Sequence, residues 1–115
     1  LGREVSRFIP DLWDEVSRHV VYRVCYYKFS QNPELLRELV SANGTTLVEA
    51  SDKDILWGCG LAKGDSRIYD RKNWTGKNWL GQVLTQLCND IVSGKQLYWD
   101  EQFWMVRGEK SHRAW

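Results

Sequence analysis

The stretch Leu80-Gly81-Gln82-Val83-Leu84-Thr85-Gln86-Leu87-Cys88-Asn89-Asp90-Ile91-Val92-Ser93-Gly94 decides the fold. Leu80, Val83, Leu84, Leu87, Ile91 and Val92 recur at spacings of three and four, the period of one face of an α-helix. The pattern predicts a helix that opens near Lys77 or Asn78 and stops at Gly94, a residue that tolerates the left-handed conformation following a last turn.

Working back from that helix, the chain between Gly58 and Gly76 has four glycines counting both ends, several charges and no sustained period. It reads as a long loop, and long loops inside compact domains are commonly functional. Before it, Thr45 to Ala50 follows a turn signal, is rich in β-branched residues and reads as a strand. Asn32-Pro33 is a helix start, with Asn as N-cap and Pro at the first helical position. Leu35, Leu36, Leu39 and Val40 form its stripe, and Asn43-Gly44 ends it. Earlier still, Pro10-Asp11-Leu12-Trp13 reads as another helix entry. Leu12, Trp13, Val16, Val20, Val24 and Tyr27 then mark one apolar face, taken as the face that meets the core, to about Phe29. Lys28 suits that helix's C-terminal end. The tail from Lys95 to Trp115 mixes aromatics with charges and predicts no element. The fold class is mainly α with a small β element, in one domain.

Composition narrows the function. The 115 residues suit a single core, and 43 % hydrophobic with 27 % charged residues is usual for a folded chain. A net charge of +1 lacks the basic excess of a general nucleic-acid binder, yet is compatible with recognition of one nucleotide in a pocket. Cys25, Cys59 and Cys88 form no CxxC pair and have no histidine at zinc-finger spacing, so neither a disulfide framework nor a metal site is expected. Reduced thiols suit the cytoplasm, and no apolar run reaches membrane-spanning length. Seven tryptophans are many for this length. Each is either packing or a wall on which a flat heterocycle stacks.

Two stretches can carry chemistry. In Leu47-Val48-Glu49-Ala50-Ser51-Asp52-Lys53-Asp54-Ile55-Leu56-Trp57-Gly58-Cys59-Gly60 a strand runs into a polar turn, the place where scaffolds present reactive groups. Asp54 and Trp57 share one side if the turn is helical, and the glycines admit close approach to the backbone. The other reading makes Asp54 a turn cap and Trp57 core. In Trp74-Thr75-Gly76-Lys77-Asn78-Trp79-Leu80-Gly81, the residues Gly76, Lys77 and Asn78 stand at a helix N-terminus, where free amides and the dipole favour an anion. The other reading is an ordinary N-cap. This is not a Walker A loop, since no Ser or Thr follows Lys77. His19 and His112 have no partner at triad spacing.

Several pieces, taken in order, resemble the NADAR family, also called YbiA-like. They are Leu1-Gly2-Arg3, Trp13-Asp14, Lys28-Phe29-Ser30-Gln31-Asn32-Pro33-Glu34-Leu35, Leu47-Val48-Glu49-Ala50-Ser51, Asp54, Trp57-Gly58-x-Gly60 and Gly76-Lys77-Asn78-x-Leu80-Gly81. The resemblance covers residues 1–93 and leaves 94–115 as an unassigned aromatic and charged tail. It implies a YbiA-like fold and an N-glycosidase that needs no metal or cofactor. The bond cleaved joins ribose to a nitrogen of a base-like ring, in phosphorylated ribosylaminopyrimidines of riboflavin synthesis or in ADP-ribosylated guanine of nucleic acid.

By the same resemblance Asp54 is catalytic or substrate-orienting, Trp13 forms a substrate wall, and Trp57 and Gly58 shape the pocket. Arg3 and Asn78 contact phosphate or ribose, and Lys77 is a further substrate-binding residue. The family's N-terminal part carries a Phe-Ser-Asn motif and a Glu-His-Tyr type segment with a glutamate implied as catalytic. Neither has a match here. The expectation is that the chain corresponds to the C-terminal two-thirds of the domain. A second reading is a non-catalytic module for ADP-ribose-like ligands, and a third is a helical interaction module with partner-binding tryptophans.

Overall fold

The computed structural model describes residues 2–95, 97, 99 and 112–114, with side chains over 12–14, 16–95, 97 and 99. In order, the elements are α1 (Gly2–Ser30), α2 (Pro33–Ser41), β1 (Thr46–Val48), two 3₁₀ turns (Ser66–Tyr69 and Arg71–Asn73), α3 (Trp79–Ser93) and β2 (His112–Ala114). The fold is mainly helical with a small β element, as the pattern predicts.

Helix α3 is the centre of the core. Val83, Leu84, Leu87 and Cys88 are buried there against Tyr22, Cys25 and Phe29 of α1, Leu39 of α2 and Leu47 of β1. It ends as predicted at Gly94, whose φ of +68° carries the left-handed cap. A side chain at Gly81 would collide with the Leu47 carbonyl and the Asn78 amide, so glycine is what lets α3 lie directly against β1.

Strand β1 pairs on one edge, in parallel, with β2: Thr46, Leu47 and Val48 stand opposite His112, Arg113 and Ala114. Its other edge is satisfied by side chains around α3. The Leu47 amide donates to Thr85 Oγ1 at 2.8 Å, and Asn78 Nδ2 donates to the Leu47 carbonyl at 3.1 Å. Buried backbone groups must find partners, and here polar side chains replace a neighbouring strand. β2 lies in the tail, for which the sequence predicted no element. The tail's aromatics Tyr98, Phe103, Trp104 and Trp115 lie outside the described residues.

Helix α1 departs from the reading in two ways. It does not begin at Pro10 but runs through it from Gly2. A proline removes one helical hydrogen bond without preventing its neighbours from staying helical. More important, the stripe expected to face the core faces solvent. Leu12, Trp13, Val16, Val20, Val24 and Tyr27 are all exposed, Trp13 and Val24 at 60 %. The buried face instead carries Ser17, Tyr22, Cys25 and Phe29. Both arcs satisfy the helical period, so the period located the helix without showing which arc the core takes. Tyr22 Oη donates to Asp90 Oδ2 at 2.5 Å and ties the buried arc to α3.

Candidate functional site

The site is built on the loop after β1. The Cys59 amide donates to the Glu49 carbonyl at 2.9 Å and closes that loop at its base. Inside it, the Asp54 amide donates to Ser51 Oγ at 3.1 Å. Asp54 Oδ1 in turn accepts from the amides of Leu56 at 3.0 Å and Trp57 at 2.8 Å. Gly58 is where the coil closes: a Cβ there would lie 2.7 Å from the Asp54 carbonyl oxygen and 2.9 Å from Ser51 Cβ. What approaches Gly58 is therefore the loop itself.

The same loop caps α3. Carbonyls of Ile55, Leu56, Trp57 and Gly58 accept from the amides of Lys77, Trp79, Leu80 and Asn78, at 2.9 to 3.1 Å. The Gly76 amide donates to the Cys59 carbonyl at 2.8 Å. The free amides expected at this N-terminus are thus occupied by protein carbonyls, because tertiary packing supplied acceptors before any anion could. Asn78 is fully buried at a φ of +54°. Its Oδ1 accepts from the Glu49 amide at 2.8 Å while Nδ2 holds Leu47, so the side chain latches β1 to α3.

Two of the loop's carboxylates have opposite tendencies. Asp54 is exposed, and the amide hydrogen bond from Trp57 holds its pKa below the ordinary value. Slight burial works against this, while the amides of Leu56 and Gly58 add to it. Glu49 is half-buried, and burial pushes its pKa up, with the Asp54 charge adding to the rise.

Above the loop the aromatics converge. Trp57 and Trp79 meet edge to face with centroids 5.5 Å apart. The Arg18 guanidinium stacks over the Trp79 ring at 4.3 Å and lies 5.7 Å from Trp99. Lys77 Nζ is 5.5 Å from the Trp79 ring centroid. Beside them opens a groove of about 390 Å³ lined by Arg71, Trp74, Gly76, Lys77, Trp79 and Gln82.

The structure therefore gathers Asp54, Trp57, Gly58, Lys77 and Asn78 into one region. Trp13 stands apart, on the solvent face of α1, about 140° around the helix from Arg18. The Arg3 side chain lies outside the described residues. The sequence reading missed Arg18 and Arg71 as neighbours of the site, and gave no role to Glu49 and Trp74, which lie inside the two stretches it singled out. An isolated arginine such as Arg18 or Arg71 has no local signature in sequence. Among the described residues no group of three or more histidine, cysteine or acidic side chains could hold a metal. Cys25, Cys59 and Cys88 are free and buried. No described helix is long and apolar enough to cross a membrane.

Comparison with known proteins agrees with the motifs. The NADAR domain matches residues 1–92. Protein irg-1 of Caenorhabditis elegans is 45 % identical over 93 residues, covering 79 % of this chain and 44 % of that protein. N-glycosidase R617 of Acanthamoeba polyphaga mimivirus is 40 % identical over 87 residues, covering 76 % of this chain and 51 % of that protein. The chloroplastic riboflavin biosynthesis protein PYRR of Arabidopsis thaliana is 37 % identical over 96 residues, covering 80 % of this chain and 14 % of that protein. The chain belongs to the NADAR domain family. It spans about half the length of the first two relatives. No solved structure matches it.

Proposed function

We propose that this chain carries an N-glycosidase site that hydrolyses the ribose–nitrogen bond of ribosylated base-like compounds. The candidate substrates are ribosylaminopyrimidine phosphates of the riboflavin pathway and ADP-ribosylated guanine, the latter making ADP-ribosylated nucleic acid a partner. Similarity to an N-glycosidase and to a riboflavin biosynthesis protein supports this reading. The observation that carries it is the Asp54 carboxylate, held by the backbone amides of Leu56 and Trp57 on the same turn that bears the Trp57 indole.

The chemistry follows from that pairing. Breaking the ribosyl C–N bond builds positive charge on the sugar, and a fixed carboxylate stabilises it where the charge develops. Asp54 is held by two amides and needs no reorganisation to act. An indole face stacks on the departing ring and attracts the nascent cation. A water molecule supplies hydroxide to the sugar carbon and a proton to the leaving nitrogen. Gly58 and Asn78 act by holding the loop, while Trp57 and Lys77 meet the substrate. The reducing cytoplasm is the proposed compartment, consistent with three buried free thiols.

The test is a hydrolysis assay on the purified chain with a panel of N-ribosides, scoring released ribose 5-phosphate or ADP-ribose. Turnover that falls about a hundredfold or more in Asp54→Ala supports the reading, since that is the scale of losing a catalytic group. Binding without turnover would instead establish a non-catalytic module for ADP-ribose-like ligands.

A further inference from the structure

We propose that the exposed arc of α1 is an interface with a second copy of this chain, the two helices lying antiparallel across a twofold axis at Val20. The inference goes beyond the N-glycosidase reading and does not depend on it.

The arc is arranged to pair with itself. Trp13, Val16, Val20, Val24 and Tyr27 follow one another at spacings of three, four, four and three. The row reads the same from either end: an aromatic, three valines, an aromatic. All five side chains are exposed. Monomeric proteins rarely expose so continuous an apolar row, and such rows mark contact sites. In a twofold contact, if one residue meets a second across the axis, the second meets the first in return. With Val20 on the axis, Val16 meets Val24 of the second copy and Trp13 meets its Tyr27, equally at both ends.

The shape at the Tyr27 end fits this register. A cleft of about 240 Å³ opens there, lined by Tyr22, Arg23, Tyr26, Tyr27 and Leu97. The rings of Tyr26 and Tyr27 are tilted at 59° with centroids 5.3 Å apart. The antiparallel register delivers Trp13 of the second copy to this cleft, where an indole finds aromatic walls and the exposed Arg23 guanidinium. Trp, Tyr and Arg are the side chains that most often anchor interfaces. Trp13 is thereby an interface anchor rather than a substrate wall.

Charge selects the direction. Asp14 and Lys28 are exposed on the same flank of the row, about four turns apart. Reversing one helix brings Asp14 of each copy beside Lys28 of the other, whereas a parallel pair sets like charge against like. Each copy already has its own core on the opposite arc of α1. The contact therefore joins folded chains, and substitutions in it change association rather than the unfolding of the dilute chain.

The experiment is sedimentation equilibrium of the chain over a concentration series. Wild type should reach twice the chain mass and return to one on dilution. Val20→Glu sets two carboxylates against each other on the axis and should weaken dimerisation about a hundredfold, tenfold from each copy. Trp13→Ala should weaken it about tenfold or more, as expected of an anchor. Asp14→Lys and Lys28→Asp should each weaken it, and the two together should restore it, since only an antiparallel pair exchanges those charges. Circular dichroism and dilute unfolding of every variant should match wild type, which separates a lost contact from a lost fold. Under a mild oxidant Val20→Cys should form a disulfide-linked dimer, while wild type, whose three thiols are buried, should not. A chain that stays monomeric up to about 100 μM would overturn the proposal and leave the arc to a different occupant. So would a dimer whose affinity is unchanged by Val20→Glu and Trp13→Ala, or a charge exchange that restores nothing.

Discussion

Trp57 and Trp79 meet at right angles, planes at 88° and centroids 5.5 Å apart, and through this contact the loop after β1 is joined to the first turn of α3. Trp79 is buried to 7 % exposure whereas Trp57 is half-buried. Trp79→Ala should therefore destabilise the chain by about 3–5 kcal/mol, the range for emptying a large buried site. Trp57→Ala should cost less. A double-mutant cycle in urea should return a coupling of about 0.5–1.5 kcal/mol for the pair. Additive effects of the two substitutions would show that the rings do not interact.

The Glu49 and Asp54 carboxylates of the loop predict opposite pH dependence. Asp54 has a depressed pKa in the folded state, so its stabilisation is present above the ordinary carboxylate range and is lost as pH falls through the folded value. Asp54→Asn should lower stability at neutral pH, with the difference closing in acid. Glu49 has a raised pKa, so the fold favours its protonated form and loses stability as pH rises from the unfolded value through the folded one. Glu49→Gln should raise stability at neutral pH and make no difference at low pH. Carboxyl NMR titration checks the cause directly, since Asp54→Asn should lower the Glu49 pKa. A Glu49 signal that does not move would exclude that coupling.

Asn78 should be among the least replaceable residues. Asn78→Ala removes the acceptor of the Glu49 amide and the donor to the Leu47 carbonyl, both at a left-handed backbone position. A cost of about 2–4 kcal/mol is expected from unsatisfied backbone groups together with the strain. Asn78→Gly loses the same two hydrogen bonds but relieves the strain, so it should recover part of the alanine variant's loss. Equilibrium unfolding of the two variants measures the division. A glycine variant no better than alanine would mean that the left-handed position contributes nothing.

The two faces of α1 can be told apart by substitution. Phe29→Ala on the buried arc should cost about 3–5 kcal/mol. Val20→Gln on the exposed arc should stay within about 0.5 kcal/mol, the usual range for a surface change. Chemical unfolding of this chain decides it. A large loss from Val20→Gln would restore the assignment made from periodicity alone.

The element types were legible because each depends on neighbours in sequence. The repeat from Leu80 to Val92, the Asn32-Pro33 start and the β-branched run after Thr45 each predict one element, and α3, α2 and β1 are found there. Asn32 shows the limit of such signals. It precedes α2 as predicted, yet its side chain makes no N-cap bond and donates instead to the Lys28 carbonyl at 2.5 Å, closing α1. Spacing alone left Asp54 between turn cap and catalytic group. The structure makes it a cap whose carboxylate stays ionised, so the two roles are compatible.

Sequence by itself determined the helical class, the family motifs and their order, because these reside in local periodicity and residue identity. Tertiary structure decided which arc of α1 is buried, that β2 comes from the tail, and that α3's leading amides are capped by the Glu49–Cys59 loop. It also placed Arg18, Arg71 and Trp74 around Trp79. The physical reason is that burial and hydrogen-bond satisfaction are set by partners distant in sequence. An apolar side chain or a free amide carries no mark of which distant group will cover it.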